Sequence, residues 1–364
     1  KAGRWLLINN KIKLLIITQK IDKNDDLLGI YHEWVKRIAA RCESVFVISL
    51  CKGKYDLPEN VKIFSLGKEK NESNFRYLFN FYKYIWRFRK QYDTVFVHMN
   101  PEYVILGGLF WKIWGKKIVF WYAHYLSNLK LKMAVILADK VVTSIRQAFP
   151  LESRKLEVLQ QGIDTDKFFP KTNRREIAGV LRILSLGRIS PVKKHETLIN
   201  SAAILREREI SFCLTIAGEP TGAAKDRWFY NNLIQKVKEM GLEDMVKFIG
   251  KVPNIETPSV YNNNDIFVNL TPTGSFDKTI LEAMACGLAV FVSNGAYRDI
   301  FDKDLENVLM FKEDDAKELA EKIANFVKLP KDRKNEIKSR LRNMVVKNHN
   351  LDGLINKLIY VLKA

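Results

Sequence analysis

Short apolar runs recur along this chain at intervals that few folds accommodate. Residues 12–18 (IKLLIIT) and 45–50 are continuous apolar runs of strand length. Residues 94–99 and 117–122 follow, with helix-length stretches at 32–41 and 75–90 between. Strands that are apolar throughout must bury both faces, which a parallel sheet achieves with helices on either side. The alternation restarts after Pro170. Residues 181–186 (LRILSL), 212–217 (FCLTIA), 246–249 (VKFI), 266–270 (IFVNL) and 290–293 (VFVS) read as strands; 195–207, 228–240, 279–286 and 316–329 read as helices. The expectation is an α/β protein of two doubly wound units in tandem, joined by a linker at 162–174, with their parallel sheets facing across a cleft.

Length and composition agree with that division. The 364 residues, 47% hydrophobic and 28% charged, can bury two cores of about 150–200 residues each. Residues 351–363 (LDGLINKLIYVLK) place apolar side chains at helical spacing after a polar, basic stretch. Cys42, Cys51, Cys213 and Cys286 have neither metal-ligand nor disulfide-framework spacing, which fits a reducing cytoplasmic compartment. The opening KAGRWLLINNKIK is too short in apolar residues for a signal peptide, and no run approaches the ~20 apolar residues of a membrane span. Any membrane contact is therefore expected to be peripheral, on the inner face. A formal net charge of +19 attracts polyanions without choosing among nucleic acid, anionic lipid and phosphorylated substrates.

Two segments carry chemistry, and a third is structural. In 271–294 (TPTGSFDKTILEAMACGLAVFVSN) a loop precedes a helix headed by Glu282. A helix start offers backbone N–H groups to an anion, and Glu282, about one turn in, is placed to accept hydrogen bonds from the paired hydroxyls of a ribose. In 185–194 (SLGRISPVKK), Gly187 follows a strand, and Arg188 and Lys193 stand five positions apart. A forked guanidinium and a compact ammonium together clamp a diphosphate and offset the charge that grows as a sugar–phosphate bond breaks. In 160–170 (QQGIDTDKFFP), Gly162 would permit a positive φ, Asp164 would cap the turn, and Phe168 and Pro170 would anchor the linker.

In this order and spacing, the segments resemble the signature of the family 4 retaining glycosyltransferases, and the resemblance spans nearly the whole chain. Residues 282–287 (EAMACG) match the second half of a motif whose first glutamate is here Gly274; Arg188 and Lys193 match a strand-G-R-x-x-x-x-K element. Where the family usually has glycine after that lysine, this chain has Lys194, whose charge is read as solvated. The resemblance implies the glycosyltransferase B fold of two Rossmann-like domains: residues 1–165 for the acceptor, 166–345 for the nucleotide-sugar donor, and a helix in 346–364 crossing back. It implies transfer of a sugar from a UDP- or GDP-sugar to an acceptor hydroxyl with retention, the acceptor being a lipid-linked or cell-envelope glycan.

On this resemblance Arg188, Lys193, His124 and Glu282 are the catalytic candidates. The donor would be bound by Gly187, Gly218, Gly250, Val252, Gly274, Ser275, Phe276, Asp277, Lys278, Thr279 and Glu282, with the amides of Lys278 and Thr279 helping hold the diphosphate. Asp277 is the nearest carboxylate to replace the missing glutamate. Asp22, Gly29 and His98 are candidates for the acceptor and phosphate loop, though a lone histidine such as His98 or His124 serves equally as a packed core residue. With no D-x-D element in an apt context, the expected activity is metal-independent, with no cofactor beyond the nucleotide sugar.

Residues 75–90 (FRYLFNFYKYIWRFRK) hold eight aromatics in sixteen residues, more than one buried helical face needs. Beside Arg76, Lys83, Arg87, Arg89 and Lys90 they suit the headgroup layer of an anionic membrane, as does WKIWGKK at 111–117. A solvated basic face over an aromatic core fits the same residues. Nucleic acid is not expected as a partner, for want of a recognisable motif. A nucleotide-sugar epimerase or hydrolase, or a non-catalytic membrane- or nucleic-acid-binding protein, would share several of these features.

Overall fold

The computed structural model describes residues 11–25, 28–171, 179–273 and 277–364. They form two compact units, one built from the chain up to Gly162 together with Leu351–Ala364, the other from Ile163–Asn350.

The strands of the first unit are β1 (Ile12–Ile21), β2 (Cys42–Lys52), β3 (Val61–Ser65), β4 (Thr94–His98), β5 (Lys117–Trp121), β6 (Lys140–Thr143) and β7 (Leu156–Val158); its helices include α1 (Gly29–Ala39), α2 (Asn74–Phe88), α3 (Pro101–Ile113) and α4 (Leu129–Leu137). All strand pairs are parallel, in the order β3-β2-β1-β4-β5-β6-β7. The two-residue period of a strand explains the unbroken apolar runs. Leu14 and Ile16 join Val45 and Val47 in a core on one face, while Leu15 and Ile17 join Phe46 and Ile48 in a core on the other. The second core is closed by Phe81 and Ile85 of α2, Trp111 of α3 and Leu131 of α4.

The second unit has β8 (Leu181–Leu186), β9 (Phe212–Ala217), β10 (Val246–Phe248), β11 (Ile266–Asn269) and β12 (Ala289–Val292), parallel in the order β10-β9-β8-β11-β12. Its helices are α5 (His195–Glu207), α6 (Ala224–Glu239), α7 (Thr257–Asn262), α8 (Lys278–Ala285), α9 (Lys303–Leu309), α10 (Ala316–Lys328) and α11 (Lys331–Asn348). The polar, basic stretch before residue 351 is thus a helix, anchored by Ile337, Leu341 and Val345 at four-residue intervals.

The chain then returns to the first unit as α12 (Leu351–Lys363). Leu354, Ile355, Leu358 and Leu362 complete the core beside Trp34 and Val35 of α1. Arg37 and Arg41 hold the Asp352 carboxylate at 2.5 and 3.0 Å, and Thr94 donates to the Leu362 carbonyl. Gly162 makes no use of the positive φ that glycine permits. A Cβ there would stand 2.7 Å from the Leu354 side chain, so glycine is required by the approach of α12. Asp164 does cap its turn, accepting from the amides of Asp166 and Lys167 at 3.2 and 3.3 Å, and Phe168 is buried.

Candidate functional site

In a doubly wound sheet, groups at the carboxyl ends of neighbouring strands whose connections run in opposite directions stand apart from the rest, and ligands bind there. In the second unit that switch lies between β8 and β11, and the segments after both strands meet across it. The Lys193 ammonium, from the loop after β8, donates to Thr271 Oγ1 at 2.9 Å and to Asp277 Oδ2 at 2.5 Å; both partners follow β11. Asp277 Oδ2 also accepts from Asn269 Nδ2 and Thr271 Oγ1, and Oδ1 caps α8 by accepting from the Thr279 amide. Burial would raise the Asp277 pKa, but the Lys193 charge and these donors outweigh it and lower it to about 2.

In this arrangement Asp277 bonds to Lys193, Asn269, Thr271 and the Thr279 amide. Both of its oxygens are engaged within the protein, as counter-ion of Lys193 and as helix cap. It likewise uses the Thr279 amide, leaving Lys278 N–H without such a bond among the described residues. Arg188 is exposed and has no ion pair among the described residues. The extra Lys194 pairs with Asp314 at 2.8 Å and takes the left-handed conformation, φ 52°, which accounts for glycine being usual at that place in the motif.

One turn into α8, Glu282 is only 3% exposed. Its Oε2 accepts from the Tyr261 hydroxyl of α7 at 3.1 Å, and its Oε1 lies 3.4 Å from Lys278 Nζ. Burial, reinforced by the Glu282 charge, pushes the Tyr261 hydroxyl well above its ordinary range, so it stays a donor. Tyr261, Asn269 and Thr271 were not singled out in the sequence. Asn269 and Thr271 did carry a signal, as polar residues at the carboxyl end of an apolar strand; Tyr261 carried none.

Gly187, Gly218 and Gly250 close β8, β9 and β10 in a row. Gly187 N–H donates to Ala217 O and Gly218 N–H to Gly250 O. At Gly218, φ is 145° and a Cβ would fall 1.9 Å from Gly187 O, so backbone alone can occupy the place. Val252 follows Gly250, half-buried against the core. Ser190 Oγ after β8, His195 Nδ1 at the start of α5 and Ser293 Oγ after β12 are buried without a hydrogen-bond partner among the described residues. Unpaired buried polar atoms are rare in folded proteins, and each calls for an explanation such as a bound water, ion or ligand. Burial and the Lys193 charge lower His195 to about 4, leaving it neutral at pH 7.

Gly274, Ser275 and Phe276 lie outside the described residues. In the first unit, His124 follows β5, half-buried. Its Nδ1 accepts from Leu126 N–H at 3.1 Å, which places the proton of the neutral ring on Nε2. Asp22 follows β1 and faces Lys20 at 3.3 Å; Gly29 opens α1, with its amide on Asp25 O. His98 ends β4 and is 4% exposed, enclosed by Tyr31, Trp34 and Trp121 with ring centroids 3.9 to 6.4 Å away; burial lowers it to about 3, and its Nε2 has no hydrogen-bond partner among the described residues.

Comparison with known proteins bears on both units. Residues 167–343 match the family described as glycosyl transferases group 1. Mannosylfructose-phosphate synthase of Agrobacterium fabrum is 30% identical over 186 residues, 45% of this chain and 41% of that protein. D-inositol 3-phosphate glycosyltransferase of Paenarthrobacter aurescens is 34% identical over 158 residues, 41% and 38% of the two chains. The chain thus matches about two fifths of the length of these relatives. Among solved structures, Anabaena HepE in complex with UDP and glucose superposes with a TM-score of 0.74 at 18% identity, over 97% of this chain and all of that one. Sucrose-phosphate synthase of Thermosynechococcus elongatus superposes with a TM-score of 0.75 at 16% identity, over 96% and 98%.

Proposed function

We propose, from the premise that residues 167–343 belong to the glycosyl transferases of group 1 on a glycosyltransferase B fold, that this protein transfers a sugar from a nucleoside-diphosphate sugar to an acceptor hydroxyl with retention of configuration. The observation that carries the reading is the Lys193 ammonium, held by Thr271 and Asp277 at the switch between β8 and β11. A cation fixed there, with Arg188 exposed in the same loop and the Lys278 amide at the start of α8, matches a diphosphate. The glycine row lets a nucleotide lie against backbone. Glu282 takes the ribose hydroxyls on the Oε1 edge that Lys278 now covers. UDP is the first candidate donor nucleotide, since HepE binds it. The acceptor is a lipid-linked or cell-envelope glycan.

His124, with its proton on Nε2, is the candidate donor of a hydrogen bond to the sugar or its phosphate. The charge of the leaving diphosphate is balanced by side chains and helix, so activity should persist in excess chelator; loss reversed by magnesium would contradict that part. The decisive test is thermal stabilisation by UDP and GDP. One of them should raise the melting temperature of the intact protein, and Glu282→Ala should abolish the shift. No shift with any nucleotide overturns the reading.

A further inference from the structure

The first unit carries an apolar surface that packing leaves uncovered. On α3 and α4, Leu109, Ile113, Leu129 and Ile136 are 63 to 73% exposed, and Met133 is exposed with them. They stand at helical spacing on the face opposite Val104, Trp111, Leu131 and Ala134, which fill the core. The two helices adjoin, since a Cβ on Gly108 would come within 3.0 Å of the Leu137 side chain. The face continues onto α2. Tyr82 meets Phe110 and Trp86 meets Trp114 edge-on at 5.6 and 5.5 Å, and Phe75, Phe79 and Trp86 are exposed beyond them.

The charge on these helices is mostly basic, although Lys112, Lys130 and Arg76 are paired with Asp139, Glu102 and Glu72. Together α2, α3 and α4 contain six basic residues, Arg76, Lys83, Arg87, Lys112, Lys130 and Lys132, against a single acid, Glu102. Arg89 lies over Trp86 at 4.9 Å and Arg76 over Phe79 at 5.8 Å, placing cations at the rim of the apolar surface. We propose that the outer face of α2, α3 and α4 docks on the surface of an anionic lipid bilayer, aliphatic side chains in the acyl boundary and cations among the headgroups.

Charge and side-chain type select this occupant. A second copy of the chain would bring the same basic excess, six cations to one acid on these helices, against itself. Nucleic acid would satisfy the cations and stack on the aromatics but offers no place to bury Leu109, Ile113, Leu129 and Ile136. Among the described residues no helix is long and apolar enough to cross a membrane, so the contact lies at the interface. The proposal does not rest on the donor assignment, and either can fail alone.

The test is co-sedimentation of the intact protein with vesicles of phosphatidylcholine alone or mixed with phosphatidylglycerol. Binding is expected to the mixed vesicles only, weakening as salt rises to about 0.5 M, where screening reaches within a few ångströms. The combined variant Leu109→Ser, Ile113→Ser and Ile136→Ser should lower partitioning about tenfold or more, as should Arg76→Gln, Lys83→Gln and Arg87→Gln together. Both sets are exposed, and their melting temperatures and nucleotide shifts should match the parent. The proposal is overturned if the parent stays in solution with both vesicles, or if the aliphatic variant binds as well as the parent. It is also overturned if this face proves to mediate self-association in place of vesicle binding.

Discussion

Replacing Asp277 by asparagine keeps the size of the side chain and an oxygen to cap α8 but removes the charge facing Lys193. The native carboxyl is lowered from an ordinary 3.8 to about 2. At about 1.4 kcal/mol per unit, that difference corresponds to roughly 2–3 kcal/mol of stabilisation of the folded second unit. Because the folded value lies below the unfolded one, the contribution is complete above pH 3.8 and is lost as pH falls through about 2. Urea unfolding of parent and variant, followed with a probe in the second unit, should therefore differ by roughly 2–3 kcal/mol at neutral pH. The two should converge between about pH 4 and pH 2. A gap that stays constant down to about pH 2 would mean the charge of Asp277 is not what stabilises the site, and would refute the ion-pair account.

Tyr261→Phe deletes the donor to Glu282 Oε2 at 3.1 Å and should cost about 1–3 kcal/mol, with a smaller nucleotide-induced thermal shift; an unchanged melting temperature and shift would show that Glu282 does not depend on it. In an Asp314→Asn background, where the Lys194 ion pair is already absent, Lys194→Gly should raise stability by about 1 kcal/mol by relieving the left-handed backbone, measured as a rise in urea midpoint; a fall would contradict the strain. Gly218→Ala should cost roughly 3 kcal/mol or more, since its Cβ would meet Gly187 O at 1.9 Å. Gly250→Ala, with its nearest contact at 3.7 Å, should cost only about 1–2 kcal/mol, and equal losses in circular-dichroism melts would break the distinction.

Elements that carry their own signal were legible to the residue. Strands β8 and β9 and helices α5 and α12 coincide with the apolar runs and periodic stretches read from the sequence. Helix α3 was hidden by the Gly107-Gly108 pair, which reads as a breaker until Leu137 of α4 is seen packed against it. Short edge strands such as β3 and β7 were hidden by their length and half-buried pattern. In the site, Lys193 was legible as one half of a spaced cationic pair. Its counter-ion was not, because Asp277 lies 84 positions away and only the adjacency of β8 and β11 joins them. Buried positions such as His98 are equally silent: a histidine ending a strand looks the same whether it meets solvent or three aromatic rings.

Because α12 belongs to the first unit while Ile163–Asn350 forms the second, the order of synthesis and the order of folding diverge. A chain emerging from the ribosome supplies every residue of the second unit before it supplies the last helix of the first. Until residues 351–364 are released, the first unit lacks Leu354, Ile355, Leu358 and Leu362 and presents an unfilled groove beside Trp34 and Val35. The usual sequence, in which the leading domain folds first during translation, is therefore reversed in its final step. The second unit can be complete while the first still waits for its closing helix.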